Sequence, residues 1–202
     1  MQNKRQNVSF NKVSPEMISY FIGDVVGLLN GIFEKTKFAF GISHKDIFDL
    51  AQIVVTESGF IQDLSRFADS DPAAKKSCSY VYKSYKGIKA MMYYRVAKCI
   101  ETWRVLENVD EMIVNTIVRS LCERSKVETG IDIHPSAEIG EGCVIDHGIG
   151  TKIGADLYEG HTVVIGETVV IGKNCTILND VVIGAADVNK GPVEGRRHPI
   201  IG

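Results

Sequence analysis

The chain has 202 residues, a formal net charge of −2 and 45% hydrophobic residues. This balance is typical of an ordinary globular protein of one large or two small domains, and it lacks the basic excess that favours a nucleic-acid partner. No apolar run approaches the roughly 20 residues of a membrane span, and the N-terminus lacks the pattern of a signal peptide. Five cysteines without a CxxC pair fit a reducing compartment. We therefore expect a cytoplasmic protein without a membrane partner.

The first 130 residues carry helix signals. Ser14 followed by Pro15 predicts a helix start, with a hydroxyl cap and proline in the first turn. Ser43 and Asp46 have the spacing of a variant capping box. Gly130 ends the helical pattern. In chain order, the predicted helices span about 15–33, 43–69, 77–105 and 109–127.

Isoleucine returns every six residues after this point. A six-residue period fits neither a helix nor an ordinary strand meander; it is the signature of a three-sided hexapeptide solenoid with one inward aliphatic side chain per strand. We therefore predict an α+β fold: an N-terminal α-helical bundle domain over 1–130, followed by a left-handed parallel β-helix over 131–202. The helical half would cap the first coil or drive oligomerisation. The phased residues are Ile133, Ile139, Ile145, Ile165, Ile171, Ile177 and Ile183.

Histidines in the solenoid region suggest chemistry, because a solenoid wall does not need them. Asp132 precedes His147 by about one coil, which predicts that the two side chains lie within reach. A carboxylate that orients an imidazole makes it an effective general base. The alternative is a zinc enzyme similar to γ-type carbonic anhydrases, although metal-ligand spacing is not evident. The other solenoid histidines are His134, His161 and His198.

Short motifs across both halves occur together in one order. They are Asp71-Pro72-Ala73, Tyr85-Lys86-Gly87-Ile88-Lys89-Ala90, Tyr94-Arg95-Val96-Ala97, Ile131-Asp132-Ile133-His134-Pro135-Ser136-Ala137, Ile139-Gly140-Glu141-Gly142, Asp146-His147-Gly148, Ile165-Gly166-Glu167-Thr168 and Arg197-His198-Pro199. From about residue 14 to the end, this set resembles the serine O-acetyltransferases. The resemblance implies acetyl transfer from acetyl-CoA to the hydroxyl of L-serine, giving O-acetyl-L-serine for cysteine synthesis.

The resemblance also implies roles for individual residues. His147 would be the general base on the serine hydroxyl and Asp132 its orienting partner. Asp71 and Asp146 would hold the serine amino group. These residue types suit the roles, since an ammonium is held by carboxylates and an alcohol needs a base near neutral pH. The serine oxygen would attack the thioester directly, without a metal.

Five further residues complete the implied site. Arg197 would bind the serine carboxylate, with His198 and Glu167 also among the substrate-binding residues. Gly184 and Ala185 would contact acetyl-CoA, because small residues let a ligand approach the backbone. Acetyl-CoA is then a cosubstrate, and no metal is expected.

The family resemblance extends to assembly, and the chain also departs from it. It implies a homotrimer, a further dimer of trimers, and cysteine synthase as partner of the full-length protein only. The chain has extra residues at 155–164, where we expect a bulged loop, and a longer segment at 186–196. It ends at Gly202, before the last coils of the family, so we expect a β-helix that is incomplete at its C-terminus. Acetylation of another hydroxylated acceptor, such as a sugar or homoserine, and a non-enzymatic assembly module remain the alternatives.

Overall fold

A computed structural model describes residues 13–34, 40–103, 106, 108–156, 169–185 and 199–202. Within these ranges, six α-helices precede eight short strands. The helices are α1 (Pro15–Phe33), α2 (His44–Thr56), α3 (Phe60–Ser70), α4 (Cys78–Ser84), α5 (Lys86–Glu101) and α6 (Glu111–Thr129). The strands are β1 (Asp132–Ile133), β2 (Glu138–Ile139), β3 (Val144–Ile145), β4 (Lys152–Asp156), β5 (Val170–Ile171), β6 (Thr176–Ile177), β7 (Val182–Ala185) and β8 (Ile200–Ile201).

The predicted helix starts are confirmed. The Ser14 hydroxyl accepts a hydrogen bond from the backbone N–H of Met17 at 3.3 Å, with Pro15 in the first turn. Ser43 and Asp46 form both halves of a capping box at the start of α2. The last helix ends at Gly130, whose φ of 73° is left-handed. Local side-chain chemistry therefore sets these boundaries.

Two of the predicted helices are each broken into two. The expected helix over 43–69 divides at Gly59, whose φ of 94° is left-handed and starts α3 in a new direction. The expected helix over 77–105 divides at Tyr85, where the backbone is extended, with φ −104° and ψ 128°. The sequence prediction was wrong at both places, because the apolar spacing continues across each break.

Helix α1 is more apolar than the sequence prediction allowed. By length and composition alone, its 19 residues could cross a membrane, with a mean hydropathy of 1.3. One face of α1 nevertheless packs in the helical core. Its buried residues are Phe21, Val25, Leu29 and Phe33. The core helix of a globular protein has the same length and composition.

The strands form three parallel sheets that the chain visits in turn. Their orders are β1-β4-β7, β2-β5-β8 and β3-β6, so each strand lies beside the one three strands earlier. This is the connectivity of a three-sided coil. Asp132 lies opposite Lys152, whereas Glu138 lies opposite Val170, so the chain between β4 and β5 is longer than one side of a regular coil. The extra residues expected at 155–164 lie largely outside the described part of the chain, but the register of β4 against β7 shifts between Ile153 and Ala155.

The six-residue period is confirmed as the inward face of the coil. Each phased isoleucine that the structure describes is buried, while Ile165 lies outside the described residues. The buried members are Ile133, Ile139, Ile145, Ile171, Ile177 and Ile183. At the end of the chain, Ile200 and Ile201 of β8 are exposed, because no described strand follows β8 in its sheet.

The helical half is bonded directly to the first coil. Arg66 of α3 donates to the carbonyl oxygens of Gly142 at 3.0 Å and Cys175 at 2.8 Å. The Tyr94 hydroxyl of α5 donates to the carbonyl of Ala137 at 2.7 Å. Because these bonds reach backbone carbonyls at corners of the first two coils, the helices fix the start of the coil. The division into domains at 130 and 131 stays a prediction, and helix gives way to strand at that point.

Candidate functional site

Asp146 and His147 lie at the corner that follows β3. The Asp146 N–H donates to the carbonyl of Ile177 at 2.8 Å, which fixes the corner to the next coil. His147 has a left-handed φ of 51° and a side chain that is 80% exposed. Its Nε2 lies 3.8 Å from Asp146 Oδ1. The backbone therefore turns the imidazole outward, next to a carboxylate.

Gly87 brings the start of α5 against this corner. A Cβ atom at Gly87 would lie 1.8 Å from the carbonyl oxygen of Ile145, the last residue of β3. Only glycine permits so close an approach. The contact places the α4–α5 junction, with Tyr85, beside the residues that follow Ile145.

Asp71 joins the corner from the other side of this junction. It follows α3, and its Oδ1 accepts from the Ala73 N–H at 2.8 Å. Its Oδ2 accepts a short hydrogen bond from the Tyr85 hydroxyl. The Tyr85 hydroxyl lowers the pKa of Asp71 most, followed by the Ala73 N–H, and nearby His147 lowers it further. Asp71 is more than 70 residues before the corner in the sequence. The structure nevertheless brings it within electrostatic reach of His147.

Tyr85 is the residue that the sequence analysis missed. Its hydrogen bond to Asp71 raises the pKa of the Tyr85 phenol to about 12, and the Asp146 charge adds to this effect. Tyr85 therefore interacts electrostatically with Asp71 and Asp146, the two carboxylates predicted to hold an ammonium group. A tyrosine two residues before a glycine, at a break between helices, was the available signal, but the uninterrupted apolar spacing concealed the break.

Asp132, the predicted partner of His147, is paired with Lys126 in this structure. Its side chain is 3% exposed, and its Oδ2 lies 2.9 Å from Lys126 Nζ on the last turn of α6. This ion pair is not a well-directed hydrogen bond, since no described donor satisfies that oxygen geometrically. The left-handed turn at Gly130 folds β1 back onto α6, and this brings the lysine to the carboxylate. The pairing of Asp132 with His147 stays a prediction.

The remaining predicted residues divide into two groups. Glu167, Arg197 and His198 lie outside the described residues. Gly184 and Ala185 lie on β7, opposite Ala155 and Asp156 of β4. Their predicted contact with acetyl-CoA stays a prediction.

Known proteins were compared with the chain. No family model matches it. A serine acetyltransferase of Helicobacter pylori is 37% identical over 139 residues, which are 69% of this chain and 66% of that protein. Serine acetyltransferase 2 of Arabidopsis thaliana is 37% identical over 146 residues, or 72% of this chain and 37% of that protein. The crystal structure of serine acetyltransferase isoform 3 from Entamoeba histolytica, in complex with cysteine, superposes with a TM-score of 0.58 at 32% identity.

The chain belongs to the serine acetyltransferase family. The superposition covers 93% of this chain and 56% of the Entamoeba histolytica protein. The chain thus spans less than two thirds of the length of these acetyltransferase relatives. The superposed part includes the helical half and the first coils. These are the two parts of the chain that meet at Asp71 and His147.

Other polar features of this acetyltransferase family member lie away from the corner. A cavity of about 580 Å³ in the helical half is lined by α1, α4, α5 and α6, and neither Asp71 nor His147 borders it. Of its three cations, Lys89 and Arg124 pair with Glu128, and Lys83 lies over the Tyr20 ring. Within the described ranges, no three His, Cys, Asp or Glu side chains gather as a metal site requires.

Proposed function

We propose that this chain transfers the acetyl group of acetyl-CoA to the hydroxyl of L-serine, giving O-acetyl-L-serine and CoA. The observation that carries the proposal is the convergence of Asp71, Asp146 and His147 at one corner, in a member of the serine acetyltransferase family. Two carboxylates suit the ammonium of an amino acid. An imidazole beside them suits removal of a proton from its hydroxyl.

The proposed reaction uses His147 as general base. The imidazole takes the hydroxyl proton as the serine oxygen attacks the thioester carbonyl. When the carbon–sulfur bond breaks, the same proton passes to the CoA sulfur, so the enzyme returns to its starting state. Arg197 would hold the serine carboxylate, with His198 and Glu167 nearby. Gly184 would lie along the acetyl-CoA arm.

We further propose a left-handed coil that assembles as a homotrimer in the cytoplasm. The 80% exposure of the His147 side chain supports assembly, because a neighbouring wall would exclude water from the reacting groups. Joining of two trimers, and binding to cysteine synthase by a longer form of the protein, are part of the same proposal.

The proposal is tested by measuring free thiol released from acetyl-CoA. Wild-type chain, His147→Ala and His44→Ala are compared with L-serine, L-homoserine or no acceptor. His44 is an exposed histidine at the start of α2, far along the chain from the corner, and serves as the matched control. Release that needs L-serine, is lost in His147→Ala and persists in His44→Ala supports the proposal.

Two results count against it. Release of thiol with L-homoserine but not with L-serine would show that the acceptor is not serine. No release from a chain that is folded by circular dichroism would overturn acetyl transfer by this chain.

A further inference from the structure

The Asp71 carboxylate is held at both oxygens. Oδ1 accepts from the Ala73 N–H at 2.8 Å, within the short turn that Asp71 itself caps. Oδ2 accepts from the Tyr85 hydroxyl. The first bond is local and would form in any Asp-capped turn. The second bond joins the end of α3 to the α4–α5 junction, so it alone ties the carboxylate to the element that contacts β3.

Tyr85 is itself held in place. Its ring packs edge-on against Phe67 of α3, with centroids 4.9 Å apart, and against Tyr80 of α4, at 5.8 Å. Two residues further on, Gly87 sits directly on the carbonyl of Ile145. The Tyr85 hydroxyl therefore has a fixed position relative to the Asp146–His147 corner. Rigid support of this kind improves the precision of a binding group.

We propose that Tyr85 is a positioning residue, which holds the Asp71 carboxylate in the orientation that receives the ammonium of the amino-acid acceptor. This inference rests on the proposed function for the identity of the acceptor. The bond to Asp71 raises the pKa of the Tyr85 phenol to about 12, so the hydroxyl keeps its proton and remains a donor to the carboxylate. Tyr85 therefore acts through Asp71.

The substitution that tests this inference is Tyr85→Phe, which removes one oxygen and keeps the ring. Tyr82→Phe is the matched control, because the Tyr82 hydroxyl donates to Asp24 at 2.7 Å in the helical half, away from the corner. Thermal unfolding by circular dichroism verifies that both variants are folded. Two readouts follow: the titration of the Asp71 carboxyl carbon by ¹³C NMR, and steady-state kinetics.

In Tyr85→Phe we expect the pKa of Asp71 to rise towards its ordinary value, since the largest cause of its lowering is gone. The KM for L-serine should rise about three- to tenfold, because the ammonium must now immobilise a carboxylate that only the Ala73 N–H still holds. The kcat and the KM for acetyl-CoA should stay within about twofold of wild type. Tyr82→Phe should leave all of these values unchanged.

An Asp71 titration that is the same in Tyr85→Phe as in wild type would overturn the inference. So would an unchanged KM for L-serine in a variant whose parent turns serine over. If the parent chain shows no serine-dependent release, the proposed function fails. The NMR comparison then still decides the contact, since a raised pKa of Asp71 supports the positioning role and an unchanged one refutes it.

Discussion

The buried ion pair between Asp63 and Arg95 gives the sharpest test of how the two halves are joined. Asp63 of α3 is fully buried, and Arg95 of α5 donates to it at 2.9 and 3.2 Å. Arg95 also donates to the carbonyls of Ile139 and Gly140, both at 2.8 Å. One guanidinium therefore neutralises a buried carboxylate and bonds the first coil at the same time.

Arg95→Met removes this cation and keeps much of its volume. Breaking one side of a buried ion pair costs about 3–5 kcal/mol. For a protein of this size each kcal/mol lowers Tm by about 2–4 °C, so we expect a fall of about 6–20 °C. Arg119→Met is the control, because Arg119 pairs with Glu123 on the exposed surface of α6. Loss of such a surface pair should cost less than about 1 kcal/mol.

A second substitution separates lost charge pairing from lost packing. Asp63→Asn preserves an oxygen acceptor for the Cys143 N–H, which donates to Asp63 at 2.9 Å, but carries no charge. If the cost of Arg95→Met comes from a stranded carboxylate, then Arg95→Met/Asp63→Asn will be more stable than Arg95→Met alone in urea unfolding at pH 8. A double variant less stable than the single one would refute the reasoning.

The pH dependence supplies an independent check. Burial raises the pKa of Asp63 to about 6 in the wild type, although Arg95 opposes the shift. Without Arg95 that pKa rises further. A raised carboxyl pKa means that the folded state binds a proton more tightly than the unfolded state, so stability is gained as pH falls towards the unfolded value. Arg95→Met should therefore lose less stability at pH 5 than at pH 8, and the opposite trend would count against a stranded carboxylate.

Three further predictions concern single positions. Gly87→Ala should destabilise the chain by about 1–3 kcal/mol, because its Cβ would lie 1.8 Å from a backbone oxygen. The control is Gly27→Ala, whose Cβ would lie in open space on α1, and it should stabilise the chain by about 0.4–1 kcal/mol. Thermal unfolding measures both changes. The hydrogen bond from Lys89 lowers the pKa of Glu128 to about 2, so wild-type stability should decline as pH falls from 4.5 to 2, and Glu128→Gln should flatten that decline in Tm measurements. Lys126→Met should cost about 1–3 kcal/mol in urea unfolding by stranding buried Asp132.

Much of the fold was predictable because its signals are local. The hydroxyl of Ser14 and the Ser43–Asp46 pair act within one turn of their own helix, and the spacing of the isoleucines is a direct consequence of a flat six-residue side. The breaks at Gly59 and Tyr85 were not predictable in this way. At both positions the apolar pattern continues, and the packing of α3 and α5 against the coil decides where each helix starts.

The site was predictable in its members and not in its contacts. Asp71, Asp146 and His147 were identified by motif, and their meeting depends on a contact across the chain at Gly87, which no local pattern encodes. The reverse holds for Asp132. The sequence predicts that it pairs with His147, which stays a prediction, and the structure pairs it with Lys126 because Gly130 turns β1 back beneath α6.

These two cases assign different tasks to the helical half. At Asp71 the helices bring a carboxylate and the Tyr85 hydroxyl bonded to it to an exposed corner of the coil, so the group proposed to hold the ammonium is complete within one chain. At Asp132 a helix supplies the countercharge to a carboxylate that is buried in one chain, while His147 remains exposed. A reaction that needs both groups then requires either that Asp132 leave Lys126 or that a second protomer bring its own groups to the corner. Serine binding should therefore survive in isolated protomers, whereas turnover should depend on protein concentration through assembly.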